Sequence, residues 1–418
     1  MKKITREAFL KTSSLAVLAA LNPPNLIGGS SHWAADPIDE LMLSRLLKAN
    51  DQSVTRLLQA ESTRRQMQYN RSISESFSVC SAAFSHPKSA YYGSTEVLNA
   101  INDLLDKLEA LQYPDGTLDS GGNRKSPPDT AFLLDALCHA AVILKENPSG
   151  DLASIKTRLE KFLLAAGEGI RTGGVHTPNH RWEICSVLAK LYKLYGDKKY
   201  LARIDEWLAE GIYQNSDGNY PERSRNYAIV ENQAFITIGE ILNRPELFDF
   251  VSKNLRATYY YMEPDGELVS LDSRRQDQFR PIHIWRTYFA YRYMAIQENS
   301  GFFASVARLI EGFDSFERNI LNSGLPQFMS SSVLQKEMPK SSPLPDSFTQ
   351  HFEASDLVRI KRGDITATIF GGNDLPLTVA SGRSCNPTFF TFRKRSAILE
   401  YARLSTSFFS TGYVRGEG

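Results

Sequence analysis

The sequence predicts a mainly α-helical protein, an (α/α) toroid of helical hairpins followed by the start of an antiparallel β-sandwich domain. Three observations predict this fold class. Apolar residues recur at helical spacing from Val97 to about Leu321, Gly-centred turns recur roughly every fifty residues, and the composition becomes β-rich after about Ser347.

The helical spacing is clearest in the segment that begins at Val97. Ile101, Leu104, Leu105 and Leu108 fall on one face of a helix. The same pattern predicts further helices at 155–164, 182–194, 201–208, 234–242 and 303–320.

Turns centred on Gly116, Gly174, Gly218 and Gly266 separate the predicted helices, at intervals of 58, 44 and 48 residues. Two helices in each period indicate a stack of hairpins, none of which can bury its apolar face alone. The loops that contain these turns are long and polar, whereas the return connections are short. We therefore expect a closed toroid rather than an open solenoid. All the long loops and the N-termini of the helices after them should lie at one end, which is the candidate site.

The C-terminal part is predicted to be an antiparallel β domain preceded by a linker rich in Ser and Pro. Predicted strands lie at 356–362, 364–370, 375–380, 388–393 and 397–402. The expected organisation is an export signal and leader at 1–35, the toroid at 36–328, the linker at 329–347, and a β domain at 348–418 that we expect to be incomplete.

Composition excludes several classes of protein. With 48 Lys+Arg against 47 Asp+Glu the net charge is +1, so no whole-protein charge favours nucleic acid. A mean hydropathy of -0.31 argues against a polytopic membrane protein. Four widely spaced cysteines, with no CxxC, HExxH or EF-hand pattern, predict neither a metal site nor a cofactor.

The N-terminus has the order of a bacterial export signal. Lys2, Lys3 and Arg6 precede a short apolar run at 14–21, which ends at Asn-Pro-Pro. This order predicts a periplasmic or secreted protein. No cysteine follows the run, so no membrane anchor is expected. An ordinary amphipathic first helix is the alternative.

The positively charged residues in and near the long loops are all arginines, with no lysine among them. The guanidinium group matches a carboxylate with two parallel hydrogen bonds, so this set predicts an acidic polysaccharide or oligosaccharide as the substrate. The alternative is pairing with carboxylates of the same loops. The set comprises Arg171, Arg181, Arg223, Arg225, Arg274, Arg275, Arg280 and Arg286.

Four residues form the candidate catalytic set: Asn179, His180, Tyr227 and Arg275. Asn179 and His180 follow Pro178 at a predicted helix start, where Asn could equally be an N-cap. Tyr227 lies 48 residues after Asn179, and Arg275 lies 48 residues after Tyr227, so we expect equivalent positions in successive hairpins. Histidine and tyrosine are suited to proton transfer.

Around this set we expect further contacts with the substrate. Tyr220 also competes with Tyr227 for the proton-transfer role. The expected substrate-binding residues are Arg274, His176, Trp182, Glu183, Arg225, Tyr220, His283 and Arg286.

Three segments carry a family resemblance: 179–183 (Asn-His-Arg-Trp-Glu), 226–227 (Asn-Tyr) and 273–277 (Ser-Arg-Arg-Gln-Asp). With the order of toroid and β domain, they resemble the (α/α)-toroid polysaccharide lyases, which include heparinase-type, alginate and chondroitin lyases. The sequence looks most similar to the exported bacterial enzymes that cleave uronate-linked side chains, such as the L-rhamnose-α-1,4-D-glucuronate lyases. The resemblance covers about residues 95–418.

The resemblance implies β-elimination. Asn179 and Arg275, or Arg274 in place of Arg275, would neutralise the uronate carboxylate and stabilise the enediolate. His180 or Tyr227 would remove the C5 proton, and Tyr227 would protonate the departing O4. The product would carry a 4,5-double bond.

Two other functions are compatible with the sequence. The first is a glycoside hydrolase on the same toroid that acts on uronides and uses a pair of carboxylates. The second is a non-catalytic glycan-binding protein built from helical repeats. The carboxylates available to a hydrolase are Asp119, Asp129, Glu183, Glu222 and Asp277.

Overall fold

The computed structural model describes residues 38–60, 70–280, 282–371, 386 and 388–403. These residues belong to one compact unit that begins at Ile38. The predicted export signal and leader, 1–35, and the predicted strand at 375–380 lie outside the described residues.

The described residues contain twelve helices of more than one turn. An additional helical turn at Asp314–Phe316 and a π-helical segment at Glu317–Leu321 precede the last of them. The predicted helix at 303–320 is therefore wrong in its second half, because the regular helix ends before Gly312. The helices are α1 (Glu40–Gln59), α2 (Asn70–Ser85), α3 (Thr95–Leu111), α4 (Pro127–Glu146), α5 (Ala153–Thr172), α6 (Pro178–Tyr195), α7 (Lys199–Ala209), α8 (Arg225–Ile241), α9 (Glu246–Tyr260), α10 (Tyr288–Gln297), α11 (Gly301–Glu311) and α12 (Asn322–Ser330).

Inner and outer helices alternate along the chain. The inner helices α4, α6 and α8 are buried on almost every side, whereas α5, α7 and α9 bury one face and expose the other. Each inner helix packs on the next, from α2 through α4 and α6 to α8. Helix α4 is long and apolar enough to span a membrane, but 67% of its most apolar window is buried in the protein. The predicted toroid of helical hairpins is confirmed.

The long loops precede the inner helices, as expected from the Gly-centred turns. Gly116, Gly218 and Gly266 have φ of 83°, 88° and 87°, the left-handed region that favours glycine. The loop before α10 also holds a two-stranded antiparallel ribbon, β1 (Glu267–Leu268) with β2 (Ile282–His283). The first turns of the inner helices therefore share the end of the toroid at which these loops lie.

The C-terminal sheet has five antiparallel strands in sequential order. The first strand was missed by the sequence analysis, which placed the linker at 329–347 and the first predicted strand at 356–362. His351 lies within that strand and pairs with Val358. The strands are β3 (Ser347–Phe352), β4 (Leu357–Arg362), β5 (Ile365–Phe370), β6 (Thr388–Lys394) and β7 (Ala397–Arg403).

One face of the sheet packs against the segment that follows α9. Phe352, Leu357 and Phe370 are buried, and the ring of Phe352 stacks on Tyr261 with 4.2 Å between centroids. Side chains of β7 are mostly exposed. The sheet therefore covers the toroid next to the loop before α10.

Candidate active site

Asn179 is buried at the start of α6. Thr177 precedes the helix as its cap residue and Pro178 occupies the first position, so Asn179 is the second helical residue and not the N-cap. Its side chain has no exposed surface. Its Nδ2 donates to Thr177 Oγ1 at 2.9 Å and to Glu222 Oε2 at 2.7 Å. The predicted direct contact between Asn179 and a substrate is therefore wrong for this structure.

Glu222 joins Asn179 to Arg275. Its carboxylate accepts from the backbone N–H and the amide of Asn179 and forms an ion pair with Arg275. Glu222 is 1% exposed and Arg275 is 6% exposed. The two residues predicted to neutralise a substrate carboxylate thus already hold a carboxylate of the protein itself.

Arg275 also lies against Tyr227. The guanidinium carbon is 4.2 Å from the ring centroid, and the hydroxyl of Tyr227 accepts from Gln276 Nε2 at 2.7 Å. Tyr227 stands in the first turn of α8, whereas Arg275 lies in the loop before α10, where it precedes a short 3-10 helix at Gln276–Phe279 rather than an inner helix. The expected equivalence of positions is wrong for Arg275, although the two side chains do meet. Because the Tyr227 hydroxyl is the acceptor in that hydrogen bond, it can still donate its own proton to another group.

His180 and His176 lie beside each other at the same end, with 6.2 Å between ring centroids. Burial lowers the pKa of His180 to about 4; the charge of Asp129 opposes this shift, and the charges of Arg275, His176 and Arg71 add to it. The imidazole is therefore uncharged at neutral pH. Its Nδ1 is buried and has no hydrogen-bond partner among the described residues.

Arg71, at the start of α2, was missed by the sequence analysis. Its Nη2 donates to Asp129 Oδ1 at 2.8 Å, and its guanidinium carbon lies 4.5 Å from the ring of Phe132, which in turn packs edge-on against His180. Burial alone would raise the pKa of Asp129, but hydrogen bonds from Asn123, Ser126 and Arg71 outweigh it and lower the pKa. Extending the repeat one hairpin upstream of Val97 would have pointed to Arg71.

Arg286 is the predicted cation that reaches the surface beside Tyr227. The side chain is exposed, and its Nη1 donates to the amide oxygen of Asn226, the residue before Tyr227. Other loop arginines are paired with carboxylates: Arg171 with Glu168, and Arg181 with Glu210. Arg286 is thus well placed to meet a charge brought by a ligand.

Trp182 and Tyr220, two of the expected substrate contacts, are buried. Trp182 is 3% exposed and packs on Phe235 at 5.0 Å between centroids. Tyr220 is 3% exposed and donates to Asn232 Oδ1 at 2.8 Å. Both predictions are corrected, because these side chains turn into the helix core and not toward the loop end.

Arg225 is also held within the protein. It donates to Asp272 Oδ1 at 2.5 Å and to Asn219 Oδ1 at 2.8 Å, and lies 3.5 Å from the ring centroid of Tyr261. It is 3% exposed. Its expected contact with substrate is corrected to a structural role, since its charge is already balanced and buried.

Glu183 faces the axis of the toroid rather than the loop end, which corrects its predicted role in substrate binding. It lines an interior cavity with Asp135, His139 and Lys190. Burial and the charge of Asp135 raise the pKa of Glu183 to about 8, although Lys190 opposes this shift. The carboxyl group is therefore protonated at neutral pH.

Arg274 and His283 fasten loops to one another. Arg274 donates its backbone N–H to the carbonyl of Glu222 and its Nη1 to the carbonyl of Pro221 at 3.1 Å. His283 Nδ1 accepts from the N–H of Trp285, so its Nε2–H donates to the carbonyl of Asp265 at 2.8 Å. Through these contacts both side chains hold neighbouring loop segments together.

Within the described part of the chain, no group of three His, Cys, Asp or Glu side chains could hold a metal ion. Cys80, Cys138 and Cys185 are buried and form no disulfide, and Cys385 lies outside the described residues. The groups that remain at the loop end for chemistry are His176, His180, Tyr227, Arg275 and Arg286, together with Arg71.

No family model matches the sequence, and no curated protein matches it either. Several solved structures, however, are similar to this chain in fold. A variant of the chondroitin AC lyase of Streptomyces coelicolor A3 has a TM-score of 0.51 at 13% identity, over 89% of this chain and 56% of that one. The same enzyme in complex with chondroitin sulphate has a TM-score of 0.51 at 14% identity, over 87% of this chain and 56% of that one.

A Paenibacillus xanthan lyase has a TM-score of 0.51 at 12% identity, over 80% of this chain and 37% of that one. This chain thus spans little more than half the length of the chondroitin lyase, and less of the xanthan lyase. At such low identity the likeness concerns the fold. That fold is the (α/α) toroid of the polysaccharide lyases, as the sequence resemblance predicted.

Proposed function

We propose that this protein is a polysaccharide lyase that cleaves a uronic-acid-containing glycan by β-elimination. The observation that carries the proposal is Tyr227, which lies against Arg275 at the same end of the toroid as the uncharged His180. The likeness in fold to chondroitin AC and xanthan lyases supports an enzyme that acts on glycans. The complex of one of them with chondroitin sulphate supports an acidic substrate.

The substrate carboxylate is assigned to Arg286, with Arg275 behind it. Positive charge on the carboxylate stabilises the enediolate that forms when the C5 proton leaves. Arg286 is exposed beside Asn226, whereas Arg275 is anchored by Glu222 and reaches the site across the ring of Tyr227. Asn179 then acts indirectly, as a donor that holds Glu222.

The proton transfers are assigned to His180 and Tyr227. His180 is neutral and its ring is only half-buried, so it can accept the C5 proton. The electrons of the C5–H bond form the C4–C5 double bond as the C4–O4 bond breaks. The Tyr227 hydroxyl gives its proton to O4. Tyr227 acting as both base and acid is the alternative for the same pair.

Four of the five carboxylates expected of a hydrolase are already engaged, and the fifth, Glu183, lines the axial cavity rather than the loop end. Asp129 binds Arg71, Asn123 and Ser126, while Glu222 binds Asn179 and Arg275. Asp277 accepts from two backbone N–H groups and from the Ser273 hydroxyl, and Asp119 accepts from the Tyr113 hydroxyl and the Lys125 N–H. A glycosidase needs one carboxyl group free to act as an acid. This occupancy favours the lyase over the hydrolase.

The test is a substrate screen with chondroitin, alginate, pectic and arabinogalactan glycans, followed by ultraviolet absorbance of the unsaturated uronate. We expect Tyr227→Phe to lower kcat on the active substrate by about 10²–10⁴-fold while binding persists. Tyr213→Phe, at a 69% exposed tyrosine, is the matched control. New reducing ends without absorbance would indicate the hydrolase, and binding without any cleavage would indicate the glycan-binding protein.

We also propose that the protein is exported to the periplasm or beyond the cell. The order of the basic, apolar and Asn-Pro-Pro segments in the first 24 residues supports this. N-terminal sequencing of the protein from periplasm and medium tests it. An intact Met1 terminus confined to the cytoplasm would contradict export.

A further inference from the structure

A cavity lies on the axis of the toroid, at the end opposite the long loops. Its walls come from the middle and C-terminal turns of α4, α6 and α8, and from α10 and α12. It offers ≈ 90 Å³ to the centres of water-sized molecules. At about 10–15 Å³ for each water, this volume corresponds to roughly six to nine waters, or to one small molecule of similar bulk.

The cavity wall contains polar side chains that lack partners in the protein. Glu183, Ser186, Gln233 and Thr237 line it, and none of them makes a side-chain hydrogen bond to another described residue. Glu183 and Ser186 are only 6% and 2% exposed. Their polar atoms remain accessible from the cavity, so they can bond to a molecule that occupies it.

Two charged side chains of the cavity wall neutralise each other. Lys190 forms an ion pair with Asp135 and also donates to His139 Nε2 at 3.3 Å. His139 Nδ1–H therefore donates to Ser330 Oγ at 2.6 Å. This tautomer rules out Ser330 as a nucleophile activated by His139, since the proton stands on the nitrogen that faces the hydroxyl.

The other titratable groups of the wall are also neutral or balanced. Burial lowers the pKa of His139 to about 3 and raises that of Glu183 to about 8, so both are uncharged at neutral pH. Glu240 accepts from Tyr293, and Lys193 adds an opposite charge nearby. The ionised side chains of the wall, Asp135, Glu240, Lys190 and Lys193, together carry no net charge, and a neutral ligand would find hydroxyl, amide and carboxyl groups.

Two aromatic rings complete the wall. Phe289 and Tyr293, both on α10, also line the cavity. Flat apolar surface beside a few polar groups is typical of sites for small molecules, and aromatic rings suit the C–H faces of hydroxylated compounds.

We propose that this axial cavity is a second binding site, distinct from the loop-end site, for a small neutral polyhydroxylated molecule: a polyol or a single neutral sugar. Hydroxyl groups of the ligand would bond to Glu183, Ser186, Gln233 and Thr237 and would pack on Phe289 and Tyr293. The proposal stands on the cavity alone and does not depend on the lyase activity.

The test uses calorimetry and ligand-observed NMR on the full chain with glycerol, D-glucose, D-galactose and L-rhamnose, and with sodium D-glucuronate as the charged comparison. We expect saturable binding of at least one neutral probe and none of glucuronate at this site. Thr237→Val, which keeps the side-chain shape, should weaken that binding about threefold to tenfold by removing one hydrogen bond. Gln233→Leu should weaken it further, and His180→Ala at the loop end should leave it unchanged.

Circular dichroism confirms that each variant is folded, and Thr237→Val carries the comparison if Gln233→Leu does not fold. The proposal is overturned if none of the four neutral probes binds saturably, or if binding survives both axial variants. It is also overturned if His180→Ala abolishes the binding, because the probe would then occupy the loop-end site.

Discussion

The carboxylate of Glu222 is the residue-scale feature on which the candidate site depends. It is almost fully buried, yet it bonds Asn179 and Arg275 at once. Burial and the charge of Glu222 raise the pKa of nearby Glu231 well above its ordinary value, so Glu231 stays protonated and Glu222 carries the charge that balances Arg275. We infer that Glu222 is a positioning residue that keeps Arg275 over the ring of Tyr227.

Glu222→Gln removes this charge and preserves the shape of the side chain. A hydrogen bond to a charged group contributes about 1.5–3 kcal/mol, so we expect kcat on the substrate found in the screen to fall about 10–100-fold. KM should change less, because the proposed contact between Arg286 and the substrate is unchanged. Glu210→Gln, which breaks the surface pair with Arg181, is the control. Equal kcat in the two variants would show that Glu222 does not position Arg275 for catalysis.

In the proposed mechanism, the pH dependence of kcat/KM reports on His180. Its folded pKa is lowered to about 4, so the imidazole is protonated, and unable to accept the C5 proton, only below that pH. We expect the acid limb of kcat/KM near pH 4 rather than near 6.5, the ordinary value for histidine. The same profile measured on His176→Gln is the control. An acid limb near 6.5 in both proteins would remove His180 as the base.

At the scale of elements, the repeat was predictable and the burial of its side chains was not. Periodicity predicted the inner helices α6 and α8 but not α2, α4 or α10, and the glycine turns predicted the end of the toroid at which the long loops lie. They did not predict that Asn179 is buried, because its partner Glu222 lies 43 positions away in another loop. Counting residues predicted that Arg275 is equivalent in position to Asn179 and Tyr227, and the ribbon in its loop breaks that count.

Gly116→Ala tests how the long loops are held against the helices. Gly116 has φ of 83°, and a Cβ there would lie 1.9 Å from the carbonyl oxygen of Ala165 in α5. Strain of this kind costs about 1–3 kcal/mol, and the backbone clash adds to it. We expect the free energy of unfolding in urea to fall by at least about 2 kcal/mol. Gly174→Ala, where a Cβ meets nothing within 4 Å, should be nearly neutral. Equal losses in the two variants would contradict this account.

At the scale of the whole molecule, one arginine joins the sheet to the toroid. Arg359 on β4 has no exposed surface and donates to Glu263 Oε1 at 2.9 Å, to Thr368 at 2.6 Å, and to the carbonyls of Tyr260 and Met262. Glu263 also accepts from Thr366 on β5. The segment after α9 and the centre of the sheet thus share one buried polar cluster.

Arg359→Met removes the positive half of this cluster and leaves Glu263 buried without its charged partner. Breaking a buried pair in this way costs about 3–5 kcal/mol, whereas replacing both partners by apolar groups is often nearly neutral. We therefore expect a large loss of unfolding free energy in the single variant and a partial recovery in Arg359→Met/Glu263→Leu. Arg395→Ala, which breaks an exposed pair with Asp364 on the same sheet, should cost less than about 1 kcal/mol. If the single and double variants lose the same stability, the shape of Arg359 rather than its charge holds the sheet on the toroid.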